Sequence, residues 1–218
     1  MDFIDIRVWF TKKGDIKFIS HLDLNRFMQR ALKRAKLPLW HTEGFNPHPY
    51  VTFALPLSLG QESECEVLDF RLVTPMAFEE IKHRMQEAFP VGMEVIKVAT
   101  PVKKAKEIAW AGYEITLLGL ASLKDAVTEF LCKPEIKVTK RTKKGGESTV
   151  DLAPHLKDVS VNVAEGSLKI SLKMPSGSTL NLNPSLLMGA LQETLKMEQL
   201  PLRIVRTGIY TENGEEFR

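Results

Sequence analysis

The sequence predicts an α+β protein made of two tandem ferredoxin-like (βαββαβ) units, the second with an added hairpin. The first observation is the order of strand-like and helix-like segments before residue 100, which is β-α-β-β-α-β. The second is that this order recurs after a lysine-rich segment, residues 101–106. We therefore expect a first unit over residues 1–104 and a second unit over residues 105–218.

The elements of the first unit follow from hydrophobic alternation and from clear helix boundaries. Ser20 is a good helix N-cap, Asp23 suits the first helical turn, and Pro38 ends the helix. Pro75 precedes a second segment with helical periodicity, and Pro90 follows it. The expected strands are 3–11, 50–55, 64–73 and 93–98, and the expected helices are 20–36 and 77–89.

The second unit is expected to repeat this order around two hairpins. Gly145-Gly146 and Glu165-Gly166 each lie between alternating segments and are typical of hairpin turns. Ser122 is a helix N-cap, and Asn183-Pro184 places proline in the first turn of the last helix. The expected strands are 113–118, 136–141, 148–152, 159–163, 168–172 and 202–210, and the expected helices are 122–131 and 183–195.

The composition is that of an ordinary globular protein, with 44% hydrophobic and 26% charged residues in 218. No run of about 18 apolar residues is present, so no membrane partner is expected. The first residues lack the cationic and apolar regions of a secretory signal, which favours the cytoplasm. Cys65 and Cys132 lie far apart and form neither a disulfide framework nor a zinc-binding spacing.

The net charge of +3 is too small to indicate a nucleic-acid partner, but the cations are unevenly distributed. At about 100° per residue, Arg26, Arg30, Lys33 and Arg34 share one face of the first helix, opposite its apolar face. Such a face is either a solvated helix exterior or a surface for phosphates, which arginine binds bidentately. Lys143-Lys144 is expected at an exposed hairpin tip that can also touch a nucleic-acid backbone.

Residues 44–49, with the sequence Gly-Phe-Asn-Pro-His-Pro, predict a stiff loop. Each proline fixes its own φ angle and forces the residue before it into an extended conformation. The loop therefore presents Phe45, Asn46 and His48, and Gly44 permits a positive φ. Because a rigid loop loses little entropy on binding, it suits a ligand platform, although a purely structural loop is equally compatible with the pattern.

Four polar residues near the first helix and this loop are candidates for acid–base chemistry. His21 or His48 is a candidate general base beside Asp23 or Glu43, and a structural histidine bonded to backbone is the alternative. No HxxxH or HExxH spacing is present, so no metal is expected. We expect His21 to lie within reach of residues 44–49, although antiparallel geometry would place the loop at the far end of the helix.

The segments SHLDLNRFMQRALKRAKLP and EGFNPHPYVTFALPLSLGQESECEVLD closely resemble a bacterial family of unknown function, the radical-SAM-associated domain family. Members stand alone or are fused behind a cobalamin-binding radical SAM module. This chain has no CxxxCxxC motif for an iron–sulfur cluster, so it is similar to the associated domain alone. The resemblance implies a radical SAM protein as partner and, through neighbouring ribosome and ribonuclease genes, an RNA context. The matching positions are Ser20, His21, Asp23, Arg30, residues 44–49 and Glu64.

Three functions follow as hypotheses, none of which requires a cofactor. The first is an RNA-recognition module that acts with a radical SAM protein in tRNA or rRNA modification or processing. In it the helix cations hold phosphates, and Phe45, Asn46 or His48 contacts a base. The second is a histidine-dependent enzyme that acts on RNA or on a nucleotide. The third is a protein–protein scaffold for the radical SAM partner.

Overall fold

The computed structural model describes residues 3–141 and 145–218 and shows a mixed α+β fold. Across these residues the chain forms four α-helices and ten strands, and the neighbouring strands pair mostly in antiparallel fashion. The chain divides into two compact units. The first runs to Glu107 and includes Phe217–Arg218, and the second is Ile108–Glu216. No helix in the described part of the chain is long and apolar enough to cross a membrane.

The first unit has the element order β-α-β-β-α-β. Its sheet follows the order β4-β1-β3-β2, and each neighbouring pair is antiparallel. The β2 strand is shorter than the expected 50–55 because residues 54–61 leave the ladder as a loop. The elements are β1 (Ile4–Lys12), α1 (His21–Arg34), β2 (Val51–Phe53), β3 (Glu62–Leu72), α2 (Phe78–Ala88) and β4 (Val95–Ala99).

One face of this sheet packs against both helices and forms the core of the first unit. Alternate residues of β1 point to this face, as the period-2 geometry of a strand requires. Each fully buried aliphatic or aromatic side chain contributes roughly 1.5–3 kcal/mol relative to exposure. The buried contacts come from Ile6, Val8 and Phe10 of β1, Leu68, Phe70 and Leu72 of β3, Leu24, Met28 and Leu32 of α1, and Ile81 and Met85 of α2.

The opposite face of the β1–β3 pair carries a buried arginine. Arg7, which is 1% exposed, lies directly across from Asp69 in the register of the two strands. Its Nε and Nη2 donate to the two carboxylate oxygens of Asp69 at 2.7 and 2.8 Å. Its Nη1 donates to the carbonyl oxygen of Lys103 at 2.8 Å, and its guanidinium lies 4.6 Å from the ring centroid of Phe217. The guanidinium is therefore held by contacts from three other segments of the chain.

The second unit has the element order β-α-β-β-β-β-α-β. Its main sheet follows the order β10-β5-β9-β8, and β6 and β7 form a separate two-stranded ladder. Lys143 and Lys144, expected at the tip between β6 and β7, lie outside the described residues. The elements are β5 (Ile108–Leu117), α3 (Lys124–Leu131), β6 (Lys137–Arg141), β7 (Glu147–Asp151), β8 (Lys157–Ala164), β9 (Ser167–Pro175), α4 (Pro184–Thr194) and β10 (Leu202–Thr211).

Two local features of the second unit have clear physical causes. Glu165 and Gly166 both have positive φ, at 51° and 72°, and they connect β8 to β9. A two-residue turn with positive φ at both positions matches the twist of a hairpin, which explains the glycine.

The β5 strand begins at Ile108, five residues before the expected 113, because Ala109–Gly112 has no apolar alternation that reveals a strand.

We predict that Asp69→Asn destabilises the first unit by about 3 kcal/mol, because it leaves the buried Arg7 without its carboxylate. The measurement is the free energy of unfolding in urea. The matched control is Asp5→Asn, which breaks a more exposed pair with Arg71 on the same strands and is expected to cost less than about 1 kcal/mol. Equal losses in the two variants would contradict the prediction.

Candidate functional site

The α1 helix presents four cations on the side opposite its buried face. Arg26, Arg30, Lys33 and Arg34 are all exposed. Arg26 pairs with Asp23 at 3.2 Å, and the Nη2 of Arg34 donates to the carbonyl oxygen of Ala88 at 2.8 Å. Among the described residues, Arg30 and Lys33 make neither an ion pair nor a side-chain hydrogen bond. These two side chains are therefore available to an external anion.

A groove of about 770 Å³ continues this cationic face at the C-terminal ends of α1 and α2. We call it the basic groove; it is lined by Phe27, Arg34, Ala35, Lys36, Arg84, Glu87, Ala88, Phe89 and Pro90. Arg84 is fixed in place, because it donates to Glu80 at 2.6 Å and to the carbonyl oxygen of Lys36 at 3.2 Å. Lys36 and Arg84 were not predicted as site residues, since only the packing of α2 beside α1 brings them together.

The N-terminal turn of α1 is closed by Ser20. Its Oγ accepts a hydrogen bond from the Asp23 amide at 3.1 Å and donates to Asp23 Oδ2 at 2.7 Å. The Ser20 hydroxyl, together with the guanidinium of Arg26, holds the pKa of Asp23 below its usual range. Both oxygens of this carboxylate are thus occupied, one by Ser20 and one by Arg26.

A buried lysine supports this turn from the strand below. Lys12 lies at an inward position of β1, and its Nζ donates to the carbonyl oxygens of Ile19 and Lys17 at 3.3 and 3.5 Å. Lys17 in turn pairs with the buried Glu62 at 3.6 Å. Lys12 was not predicted as a site residue, although a lysine two residues after Phe10 on the core face of a strand is a visible departure from the alternation.

His21 and residues 44–49 make separate contacts in the structure. The exposed His21 ring packs edge-on against Phe53, with 5.1 Å between the ring centroids. Within the described residues no hydrogen bond or ring contact joins His21 to this loop, and neither His21 nor His48 contacts a carboxylate. Glu43 is exposed beside the loop. The described part of the chain holds no group of three residues arranged to bind a metal ion.

The loop is closed by a short antiparallel bridge and by its own histidine. His41 pairs with Pro49, and the Thr42 amide donates to the carbonyl oxygen of His48 at 2.9 Å. The Nδ1 of His48 lies 3.0 Å from the carbonyl oxygen of Asn46, and a carbonyl oxygen only accepts. This bond places the proton on Nδ1, so that a neutral His48 carries its acceptor lone pair on Nε2.

Phe45 is the most exposed large apolar side chain of the described residues, at 106% of its reference area. Gly44 before it has φ +131°, a backbone conformation that L-residues with side chains rarely adopt. The segments that flank the loop contribute to an aromatic cluster around Arg71. The guanidinium carbon of Arg71 lies 3.7 Å from the ring centroid of Phe3 and 4.3 Å from that of Tyr50. The loop therefore holds an apolar ring in solvent on a rigid base.

Comparison with known proteins gives a family but no function. A family model described as "Uncharacterized protein conserved in bacteria (DUF2344)" matches residues 5–184. No curated protein matches the chain. Among solved structures, the chain is similar to an unknown protein from Galdieria sulphuraria, with 11% sequence identity and a TM-score of 0.28 over 94% of this chain and 99% of that chain.

We predict that Ser20→Ala raises the pKa of Asp23. The same change removes the N-cap of α1, and the loss of a cap lowers the free energy of unfolding by about 1 kcal/mol. Because folding lowers the pKa of Asp23, the ionised carboxylate stabilises the fold above its unfolded pKa, and this contribution is lost as the pH falls through the folded pKa. The variant is therefore expected to lose less stability than the wild type on acidification.

The pKa of Asp23 is measured by carboxyl NMR titration, and stability by urea unfolding across the acidic range. The comparison variant is Arg26→Gln, which is expected to raise the same pKa by a smaller amount because the Ser20 hydroxyl is the largest cause of the shift. A larger effect from Arg26→Gln than from Ser20→Ala would show that the cap does not control this carboxylate.

Proposed function

The chain belongs to the DUF2344 family, uncharacterized proteins conserved in bacteria, and from its geometry we propose that it is an RNA-recognition module. The observation that carries the proposal is the exposed face of α1, where Arg30 and Lys33 make no ion pair with any described residue and the basic groove adjoins. A polyanion binds most readily to cations that are not neutralised by an acidic neighbour. In RNA the anionic groups are the phosphates, and contacts with them position a protein on the strand.

The basic groove supports phosphate binding through its chemistry. Arg34 and Arg84 are each held by a backbone carbonyl, which orients their guanidinium groups before a ligand arrives. An oriented guanidinium loses less entropy on binding a phosphate than a mobile one does. Glu87 also lines the groove, and the negative charge of its carboxylate partly offsets the positive charge of the cations there.

Phe45 supports recognition of unpaired bases. Sequence-specific recognition of RNA relies on bases that stack on aromatic side chains in loops and single strands. Phe45 is fully exposed in a loop whose backbone is fixed by two prolines and by the bonds of His48. The adjacent Asn46 and the free Nε2 of His48 supply the hydrogen-bonding groups that read a base edge.

A histidine-dependent activity on RNA is the second candidate function, favoured by the exposed acceptor nitrogen of His48. Binding is better supported than catalysis because the carboxylate of Asp23 is already committed to Ser20 and Arg26. The Asn46 carbonyl of the same loop orients the His48 ring, but within the described residues no carboxylate contacts this histidine.

We also propose that the chain acts beside a radical SAM protein on tRNA or rRNA in the cytoplasm. This part rests on the resemblance of residues 20–38 and 43–69 to the radical-SAM-associated domain family. Cross-linking in bacterial cells, followed by purification of the tagged chain, tests it by identifying the bound RNA and protein. Recovery of a protein partner without RNA would instead favour the scaffold.

We further infer that the two units are a tandem pair of ferredoxin-like units, the second with an added hairpin. Two facts support this: the strand order β4-β1-β3-β2 of the first unit, and the order β10-β5-β9-β8 of the second, with β6-β7 as the added ladder. In both orders, neighbouring strands of each unit are antiparallel. An experimental structure in which either unit had a different strand order would contradict this inference.

We predict that replacing both Arg30 and Lys33 with Gln makes binding to tRNA less dependent on salt. Each lost phosphate contact changes the slope of log K against log[salt] by about 0.7–0.9, so the slope becomes shallower by up to about 1.8. Glutamine retains helix propensity, so the fold is preserved. Binding to total tRNA and to rRNA fragments is measured across a salt series.

The charge-matched control is Lys104→Gln with Lys106→Gln, two exposed lysines of the first unit away from α1, for which the slope is expected to stay within error. Absence of RNA binding by the wild-type chain at low salt, or an equal change of slope in the control, would refute the RNA function. The scaffold would then be the better hypothesis.

We predict that Phe45→Leu weakens binding to RNAs with unpaired bases about tenfold, since stacking on an aromatic ring contributes roughly 1–3 kcal/mol per base. The salt slope is expected to remain unchanged, and so is binding to a perfect duplex. Val91→Ala, at an equally exposed apolar position of the first unit, is the control and is expected to have no effect. An equal loss of affinity for duplex and single-stranded RNA would show that Phe45 does not contact a base.

A further inference from the structure

The second unit contains a cavity of about 290 Å³ that plays no part in the site proposed above. It is lined by two aromatic side chains, two lysines and two carboxylates: Trp110, Tyr210, Lys157, Lys173, Asp158 and Glu212. This is an unusual combination, because both large rings lie at half-buried positions within reach of solvent and each lies beside an ammonium group. None of these residues belongs to a motif that the sequence singled out.

The strand register explains how the rings and the lysines meet. Trp110 on β5 lies opposite Tyr210 on β10, and Lys157 on β8 lies opposite Lys173 on β9. The Nζ of Lys157 lies 3.7 Å from the ring centroid of Trp110, and the Nζ of Lys173 lies 4.4 Å from that of Tyr210. Two rings, each covered by one ammonium group, thus stand on adjacent strands.

Two paired glycines leave space for the Tyr210 ring against the sheet. Gly112 and Gly208 are register partners on β5 and β10. A Cβ atom at Gly208 would clash with the Tyr210 hydroxyl oxygen, and one at Gly112 would lie 3.3 Å from Cε2 of the same ring. The tyrosine ring therefore occupies the space that two side chains would otherwise fill, and any side chain at residue 208 would displace it.

The charges of the cavity nearly cancel. Lys173 pairs with Asp158 at 2.8 Å, a bond that raises the pKa of Lys173 and lowers that of Asp158. Glu212 adds a second carboxylate to the lining. A ligand attracted mainly by charge would gain little here, so recognition must come mainly from the rings.

We propose that this cavity binds one nucleotide of single-stranded RNA, with the base stacked on Trp110 beside Tyr210 and the phosphate next to Lys157. The choice of RNA as ligand rests on the function proposed above, whereas the site itself does not. Every base has a π-face that stacks on an aromatic ring, and this stacking outweighs an exposed contact between an ammonium group and a ring. A base therefore replaces the ammonium of Lys157 on Trp110, and the displaced ammonium pairs with the phosphate. Bases within a duplex are already stacked on each other, so the site selects single strands.

The test uses the full chain and labelled heptamers of uridylate and adenylate, with affinity measured by fluorescence anisotropy. Trp110→Leu is expected to weaken heptamer binding at least fivefold, and Trp110→Phe, which keeps a ring, to weaken it less than twofold. Gly208→Ala, which displaces the Tyr210 ring, is expected to weaken it about as much as Trp110→Leu. The control is Lys169→Gln, which removes a charge from the same strand as Lys173 and is expected to leave the affinity unchanged.

The outcomes separate this site from the proposed function. If the wild type binds the heptamers but Trp110→Leu and Gly208→Ala do not lower the affinity, the cavity is not a nucleotide site. This conclusion holds even if replacing Arg30 and Lys33 weakens tRNA binding. If Trp110→Leu weakens heptamer binding while replacing Arg30 and Lys33 leaves the salt dependence of tRNA binding unchanged, the cavity is supported as a nucleotide site. The proposed role of α1 is then refuted. Equal losses for Trp110→Leu and Trp110→Phe, or no heptamer binding at low salt, overturn the inference.

Discussion

The buried guanidinium of Arg7 is the interaction on which the first unit depends. A cation with 1% exposure is stable only where hydrogen bonds replace its hydration, and Arg7 has them from Asp69 and from the Lys103 carbonyl. These bonds join β1, β3 and the segment after β4 on the face of the sheet away from the helices. On the other face, α1 and α2 pack against the apolar side chains of β1 and β3 and share one hydrophobic core.

The candidate site follows from how α1 is placed on that core. Its apolar face is committed to Leu24, Met28 and Leu32, so its cations face solvent. Its N-terminal turn is closed by Ser20 and supported from below by Lys12, and its C-terminal end meets α2 to form the basic groove. A single amphipathic helix thus exposes four cations on one surface, while residues 44–49 add an exposed ring on a separate support.

The two units offer different chemistry to a nucleic acid. In the first, the exposed Arg30 and Lys33 make no ion pair with a described residue and are suited to phosphates. In the second, lysines and carboxylates nearly balance, and the paired rings of Trp110 and Tyr210 suit bases. Phosphate contacts position a nucleic-acid strand and base contacts select it, so the two surfaces are suited to different parts of recognition.

The sequence by itself determined the features that arise within a few residues of the chain. The Ser20 cap and the helix predicted at 20–36 and found at His21–Arg34 follow from local rules of capping and backbone sterics. The mixed α+β class followed as well, because periods of 2 and 3.6 residues alternate along the chain. Only the tertiary structure decided that Lys36 and Arg84 share a groove, that Arg7 meets Asp69, and that Trp110 stands beside Tyr210 over paired glycines. These pairs are separated by tens of residues or more, and strand register and helix packing that join them depend on the whole core rather than on any local pattern.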